Sequence, residues 1–275
     1  MKFVTLNNGV KMPILGYGVY QVDPKECERC VSDALEVGYR LIDTAQAYYN
    51  EEGVGAAISN SGIPREELFL TTKVWITNAG YEKAKASIEE SLKKLKTDYI
   101  HQPIGDYYGT YRAMEEAYEE GILKAIGVSN FYPDRFVDIS NFVKVQPAVN
   151  QIETHPFQQQ KQARKYLDKY HTQIESWGPF AEGRKDLFQN PVLQEVGAKY
   201  GKTVAQTVLR FLIQSGVVVI PKSTHKERMQ ENFNVFDFTL NEDDMQKIQA
   251  LDEAESAFFS HYDPETVEFL ASFGK

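Results

Sequence analysis

The sequence predicts an α/β protein with a (β/α)8 TIM-type barrel and an N-terminal β-hairpin. Seven strand-like runs are nearly continuous in apolar residues and end in polar ones, which is typical of parallel strands covered on both faces. A helical pattern follows each run, as in alternating β/α folds. No proline-rich linker or low-complexity segment interrupts the 275 residues, so we expect one domain over residues 1–275.

A doubly wound open sheet shows the same alternation and is the alternative fold. The barrel is favoured because the β/α unit repeats without a break and no glycine-rich dinucleotide fingerprint follows the first strand. The glycines of Gly16-Tyr17-Gly18 fall inside that strand, and the later glycine of the fingerprint is missing.

The individual elements follow in chain order. Two alternating runs around Asn7-Asn8-Gly9 predict the hairpin. "ILGYGVY" predicts the first barrel strand, and Asp23-Pro24 predicts the start of a helix that ends at Gly38. The later strands and their helices are "RLIDTA" with "NEEGVGAAISNSG", "LFLTTKVW" with "GYEKAKASIEESLKKLK", "KAIGVSN" with "PDRFVDISNF", "AVNQIETH" with "KQARKYLDKY", "TQIESWGP" with residues 191–216, and "VVVIPKS" with "KERMQENFNVF".

Composition limits the partners and the compartment. A net charge of −9 provides no basic field for nucleic acid or an anionic membrane surface. No run approaches the ~20 apolar residues of a membrane helix, and the first residues lack a signal-peptide hydrophobic region, so we expect a cytoplasmic protein. Cys27 and Cys30 lie on one face of a predicted helix, where we expect core thiols rather than a redox pair or a metal site.

Polar residues at the ends of the predicted strands are the candidates for chemistry. In a barrel these ends face one common mouth. The candidates are Asp43, Tyr48, Lys73, Trp75, His101, Ser129, Asn130, Gln151, Trp177, Lys222 and Ser223.

Five separated motifs occur in one order that is typical of a known family. They are "LIDTAQAYYNEEGVG", "LFLTTKVW", "KAIGVSNF", "VNQIETHPF" and "IPKSTHKERMQEN". On these residues the sequence resembles the aldo-keto reductase family, in particular its small bacterial members of the 2,5-diketogluconate reductase and prostaglandin F synthase-like type. The resemblance implies reduction of aldehydes and ketones to alcohols with NADPH, by a protein that we expect to act as a monomer on a small carbonyl substrate.

Carbonyl reduction needs a proton donor that still holds its proton near neutral pH. Tyr48 meets this need, and we expect Lys73 to make it a stronger acid by favouring the phenolate. Asp43 would keep a buried Lys73 charged through an ion pair. The resemblance implies the same three roles and adds His101 as the residue that orients the substrate carbonyl.

The segment after the last barrel strand is a candidate phosphate site. Lys222, Ser223 and Arg228 offer two cations and a hydroxyl near a helix N-terminus, which suits the 2′-phosphate of NADP(H). The resemblance implies this cofactor and places Glu231 and Asn232 near its adenine. It also implies that Ser129, Asn130 and Gln151 bind the nicotinamide amide and that Trp177 stacks on the ring. Gly178 and Phe180 are further expected cofactor-binding residues.

The substrate class is less visible in the sequence. We expect an aromatic, largely apolar pocket with His101 as one of its few polar groups. Its expected members are Tyr17, Tyr20, Trp75, Phe258, Phe259 and Tyr262.

The strand before His101 departs from the family pattern, because "KTDYIHQP" is shorter than expected by about five residues, or roughly 16 Å of strand. We therefore expect a fourth strand that is shortened or distorted. Three outcomes stay open: a distorted barrel with His101 displaced, a changed number of strands, or residues missing from the recorded sequence.

The sequence leaves two other functions open. The short segment favours a non-catalytic NADP(H)-binding protein, and a barrel isomerase or aldolase could use Lys73 as a Schiff-base amine.

Overall fold

The computed structural model describes residues 2–95, 98–101 and 104–274. Two strands, β1 (Phe3–Thr5) and β2 (Lys11–Pro13), form an antiparallel hairpin. Eight further strands form one parallel sheet in chain order. They are β3 (Tyr17–Gly18), β4 (Leu41–Asp43), β5 (Phe69–Val74), β6 (Asp98–His101), β7 (Ile126–Ser129), β8 (Val149–Glu153), β9 (Gln173–Trp177) and β10 (Val218–Val219).

Helices follow the strands and cover the sheet. Asp23 caps the first of them through Lys25 N, and Gly38 ends it with a positive φ of 120°, as predicted. The helices are α1 (Pro24–Val37), α2 (Glu51–Asn60), α3 (Tyr81–Leu95), α4 (Tyr107–Glu119), α5 (Pro133–Phe142), α6 (Lys161–Lys169), α7 (Pro191–Lys199), α8 (Val204–Gln214), α9 (Lys226–Phe233), α10 (Glu242–Gln249) and α11 (Pro264–Ser272). No helix within the described ranges has the length and apolar character needed to cross a membrane.

The first and last strands of the sheet meet. Leu15 and Val219 form a parallel bridge beyond the ends of β3 and β10. Gly16 N donates to Val219 O at 2.8 Å, and Val219 N donates to Ile14 O at 3.0 Å. These hydrogen bonds join the two edges, so the predicted barrel is confirmed and the open doubly wound sheet is wrong.

The hairpin lies at the N-terminal end of the barrel. Asn7 Nδ2 donates to Pro147 O and Asn8 Nδ2 donates to Lys124 O, both just before a barrel strand begins. Cys27 and Cys30 are fully buried on α1, where they act as core side chains.

The fourth barrel strand is present and short. β6 has four residues and pairs with β5 and β7, so that His101 lies beside Val74 and Val128. Helix α3 continues through Leu95, so its last described turn does not unwind to lengthen the strand. The sheet keeps its eight strands, and a changed strand number is wrong. The side chain of His101 lies outside the described part of the molecule.

Strands β7 and β8 approach each other closely at Gly127. A Cβ on Gly127 would lie 2.5 Å from the backbone oxygen of Val149. The change Gly127→Ala should therefore lower the free energy of unfolding by about 1–3 kcal/mol, because the two strands must separate. Urea denaturation measures this loss.

Gly274→Ala is the matched control for that substitution. The atom nearest to its added Cβ is Ala271 O at 3.5 Å, an ordinary contact. We expect its stability to stay within ~0.5 kcal/mol of the parent. Equal stability of both variants would contradict the close approach of β7 to β8.

Candidate active site

A buried ion pair lies at the C-terminal ends of β4 and β5. Lys73 Nζ donates to Asp43 Oδ1 at 2.7 Å and to the backbone oxygen of Thr44 at 2.8 Å. Asp43 is 2% exposed and Lys73 is 3% exposed. Adjacent parallel strands carry the two residues to the same edge of the sheet, as the sequence predicts.

Tyr48 lies beside this pair. It ends the short 3-10 helix Gln46–Tyr48, which directly follows β4. Lys73 Nζ is 5.2 Å from the centre of the Tyr48 ring. The expected proximity of phenol and ammonium is therefore present.

The pKa of Tyr48 differs from the sequence-based expectation. Burial raises the pKa of the phenol above its ordinary value, the Lys73 ammonium lowers it, and the Asp43 carboxylate raises it again. Lys73 acts in the expected direction, but the net shift is upward because burial outweighs it and Asp43 already pairs with the ammonium. Tyr48 thus holds its proton at neutral pH, as a general acid must.

Lys73 remains a cation. Burial works to lower its pKa, but Asp43 and Tyr48 outweigh burial and hold the pKa above its ordinary value. A Schiff-base lysine must lose its proton to act as a nucleophile. The ion pair of Lys73 with Asp43 therefore does not favour the isomerase or aldolase hypothesis.

Gln46 links Tyr48 to the next loop, a role that the sequence analysis missed. Its Oε1 accepts from Trp75 N at 2.9 Å and from Asn78 Nδ2 at 3.0 Å. Its Nε2 donates to Ser91 Oγ at 3.2 Å. These bonds fix the helical turn that carries Tyr48 against the loop that carries Trp75.

Four residues expected at the nicotinamide come together at the barrel mouth. Asn130 N donates to Gln151 O at 2.9 Å, and Ser129 Oγ donates to the same oxygen at 3.0 Å. Trp177 Nε1 donates to Asn130 Oδ1 at 2.7 Å. Gln151 Nε2 donates to Asp43 Oδ2 at 2.8 Å, so this group is continuous with the ion pair.

Glu175 is a further buried acid in this network, and the sequence analysis did not identify it. It lies on β9 and is fully buried, and its Oε2 accepts from Gln151 Nε2 at 3.0 Å. Burial and the nearby Asp43 raise its pKa to about 8, against opposing effects of Gln151 and Lys73. A glutamate inside an otherwise buried strand, two residues before Trp177, was the available signal.

A cavity of about 730 Å³ lies where the phosphate end of the cofactor is expected. Lys222, Thr224 and His225 line one side of it, and residues of α1 line the other. Within the described ranges no salt bridge engages Lys222, which is exposed. This cation lies four residues before α9 and fits the anionic end of NADP(H).

The other residues expected at the phosphate and adenine end of the cofactor lie on α9 or in the segment before it. Ser223 is buried, and its backbone oxygen accepts from the Tyr17 hydroxyl at 2.5 Å. Arg228 is exposed on α9 and does not line the cavity. Glu231 accepts from Thr203 Oγ1 at 2.7 Å instead of facing the cavity.

The remaining expected cofactor residues are Asn232, Gly178 and Phe180, and the structure describes all three. Asn232 is buried on α9. Gly178 has a φ of +67°, and a Cβ there would lie 3.7 Å from the Phe258 ring. Phe180 is half-buried with its ring 5.7 Å from that of Phe188.

Several aromatic side chains surround Tyr48 and Trp177 as expected for a substrate pocket. The Tyr20 ring is 5.0 Å from Tyr48, and the Phe258 ring is 5.1 Å from Trp177. Trp75 is half-buried. The prediction that Tyr17 lines the pocket is wrong. Its side chain is 1% exposed, and its hydroxyl donates to Ser223 O inside the fold.

Two further aromatics of the expected wall are largely exposed. Phe259 is 43% exposed and Tyr262 is 57% exposed. The centre of the Tyr262 ring lies 4.7 Å from the centre of the Tyr132 ring. The predicted role of the His101 side chain in this pocket lies outside the described residues.

Comparison with known proteins identifies the family. The model of the aldo/keto reductase family matches residues 14–253. A 9,11-endoperoxide prostaglandin H2 reductase of Trypanosoma cruzi is 45% identical over 258 residues, which cover 91% of each chain. A glyoxal reductase of Bacillus subtilis is 45% identical over 259 residues, covering 92% of this chain and 93% of the relative. A methylglyoxal reductase of Escherichia coli is 44% identical over 258 residues, covering 91% and 93%.

Solved structures agree with this match. The crystal structure of a Bombyx mori aldo-keto reductase in complex with NADP has a TM-score of 0.87 and is 30% identical, covering 94% of this chain and 95% of that chain. The named reductases favour an enzyme over a non-catalytic binding protein. The sequence resemblance is confirmed, and the chain belongs to the aldo/keto reductase family and is an oxidoreductase.

Proposed function

We propose that this protein reduces small aldehydes and dicarbonyl compounds to alcohols with NADPH, with Tyr48 as the general acid. The observation that carries the proposal is the protonated phenol of Tyr48 beside a buried ammonium that Asp43 holds in place. A carbonyl oxygen that receives hydride develops negative charge, and this pair is suited to stabilise and protonate it.

Each residue of the network has a defined task in this mechanism. Bound NADPH supplies the hydride. Tyr48 donates its proton to the developing alkoxide, and Lys73 stabilises the resulting phenolate by its charge. Asp43 keeps Lys73 protonated and fixes its ammonium near the ring. His101 completes the site in this proposal by donating to the carbonyl oxygen.

The cofactor residues fit the same arrangement. Gln151 directs its amide nitrogen to Asp43 and Glu175, which leaves its carbonyl oxygen to accept from a carboxamide. The indole of Trp177 is fixed by Asn130 and offers a flat face for stacking. Lys222, Ser223 and Arg228 bind the 2′-phosphate in this proposal, with Lys222 in the cavity and Arg228 on α9.

The substrate class rests on the relatives and on the pocket. Relatives of nearly equal identity are named for glyoxal, methylglyoxal and prostaglandin H2, so identity alone does not select a substrate. Two of the three names are small dicarbonyl aldehydes, which need few contacts beyond the reacting carbonyl. The residues of the proposed site lie on one barrel, which supports a single-domain enzyme, and we propose that it acts as a monomer.

The direct test of function is a reduction assay. Purified protein is mixed with NADPH and methylglyoxal, and the absorbance band of the reduced nicotinamide is followed. Turnover with methylglyoxal and glyoxal supports the proposal. Quenching of protein fluorescence by NADPH without turnover of any aldehyde would instead support a binding protein.

Removal of the Tyr48 hydroxyl tests the general acid. The change Tyr48→Phe should lower kcat by about 10²–10⁴-fold, because the alkoxide loses its proton donor. The Kd of NADPH, measured by fluorescence, should change little. Tyr49→Phe is the matched control, since it removes the phenol of the next residue, which is 82% exposed, and it should leave kcat nearly unchanged. Equal loss of NADPH binding and of kcat would mean that Tyr48 has a structural role.

Loss of the Lys222 charge tests the phosphate site. The change Lys222→Ala should weaken NADPH by about tenfold or more and leave NADH nearly unaffected, because only NADPH carries the 2′-phosphate. Arg228→Ala should act in the same direction.

Lys247→Ala is the control for this pair of variants. Lys247 lies on α10 and does not line the cavity, and its ammonium is paired with Glu195 at 2.8 Å. Its removal should change NADPH affinity by less than about threefold. Equal weakening of NADPH and NADH in Lys222→Ala would remove the 2′-phosphate assignment.

A further inference from the structure

Glu175 is the end of a chain of hydrogen bonds that starts at Lys73. Lys73 Nζ donates to Asp43 Oδ1, and Asp43 Oδ2 accepts from Gln151 Nε2 at 2.8 Å. The same amide nitrogen donates to Glu175 Oε2 at 3.0 Å. One amide group therefore holds two buried carboxylates inside the barrel.

The charges of this cluster do not balance if both acids are ionised. Lys73 is paired directly with Asp43, and Glu175 has no cation in contact among the described residues. Glu175 Oε1 is buried and has no hydrogen-bond partner within the described ranges. A buried carboxylate of this kind costs free energy unless it is protonated or a cation approaches it.

Only a few groups near Glu175 among the described residues affect whether its carboxyl is ionised. Asp43 on β4 and Lys73 on β5 are the charged groups that act on it, and Gln151 on β8 is its hydrogen-bond donor. On β10 its paired residue is the apolar Val218. Burial raises the pKa of Glu175 to about 8, so the carboxyl is mostly protonated at neutral pH in the free protein.

Glu175 also lies close to the proposed nicotinamide position. Alternate residues of a strand point to the same face, so Glu175 and Trp177 share one face of β9. Gln151, its hydrogen-bond donor, is paired with it across β8 and β9. The oxidised nicotinamide carries a positive charge that the reduced ring lacks.

We propose that Glu175 ionises when the oxidised cofactor binds, so that a buried carboxylate of β9 compensates the nicotinamide charge and makes the preference between NADP+ and NADPH depend on pH. This inference rests on the proposed binding of nicotinamide beside Gln151 and Trp177. The proton of Glu175 passes to solvent, and no bond other than its O–H bond is broken. With NADPH bound, the ring is neutral and Glu175 keeps its proton.

The direction of the pH effect follows from linkage. NADP+ binds better to the ionised form of Glu175, so its affinity rises with pH until the free protein is itself ionised near pH 8. NADPH gains nothing from that ionisation. The ratio of the two dissociation constants cancels the titration of the 2′-phosphate, which both cofactors carry.

The test is to measure both dissociation constants by fluorescence from pH 6 to pH 9. In the parent protein the ratio Kd(NADP+)/Kd(NADPH) should fall by about tenfold over this range. This is the change expected if bound NADP+ lowers the pKa of Glu175 by about one unit. In Glu175→Gln, which keeps the shape but cannot ionise, the ratio should change by less than about threefold. The histidines are the same in both proteins, so only the difference between the parent and the variant reports on Glu175.

Glu115→Gln is the matched control. Glu115 is also a buried carboxylate, but it lies on α4 and accepts from the backbone of Lys144 and Val145. Its variant should keep the pH dependence of the parent. Equal pH dependence in the parent and in Glu175→Gln would overturn the inference. Turnover of aldehydes measured alongside keeps that failure distinct from failure of the proposed function.

Thermal unfolding tests the titration of Glu175 without cofactor. Its pKa is raised from 4.5 to about 8 on folding, so its contribution to stability is lost as pH rises through that window. The Tm of Glu175→Gln relative to the parent should therefore be higher at pH 8 than at pH 5. A Tm difference that is the same at both pH values would show that Glu175 does not change its ionisation on folding, and would also overturn the inference.

Discussion

The buried ion pair between Lys73 and Asp43 is the interaction on which the rest of the site depends. An ammonium that is 3% exposed would lose its proton without a carboxylate in contact. Asp43 prevents this at 2.7 Å, and its second oxygen accepts from Gln151. The pair therefore sets the charge near Tyr48 and also the direction in which the Gln151 amide points.

The barrel makes this pair possible because it brings distant parts of the chain to one small volume. Asp43 and Lys73 come from neighbouring strands, and Gln151 and Glu175 come from the opposite part of the sheet. Burial strengthens each charge interaction there, since little water remains to screen it. Burial also explains why the pKa of Tyr48 and that of Glu175 both lie above their ordinary values.

Much of this arrangement could be predicted from the sequence, for a specific reason. Asp43, Tyr48 and Lys73 lie at or just after strand ends, where polar residues interrupt apolar runs and are easily seen. The proximity of Asp43 and Lys73 follows from the pairing of neighbouring strands in a barrel. Glu175 was missed because a polar residue inside a strand does not show what it contacts, although its spacing from Trp177 indicates the face that it shares.

Other features depended on packing that no local pattern contains. Tyr17 resembles a pocket aromatic in the sequence, but its hydroxyl donates to Ser223 O inside the fold. The net pKa of Tyr48 required the degree of burial as well as the position of Lys73. The short β6 could be predicted as shortened, whereas its preserved pairing with β5 and β7 could not.

The most direct measurement of the central claim is the pH dependence of kcat for the parent and for Asp43→Asn. Asp43 raises the pKa of both Lys73 and Tyr48. Its loss should move the alkaline limb of the profile to lower pH and reduce the maximal kcat. An alkaline limb at the same pH in both proteins would contradict the account, because the carboxylate would then not control the protonation of the ammonium and the phenol.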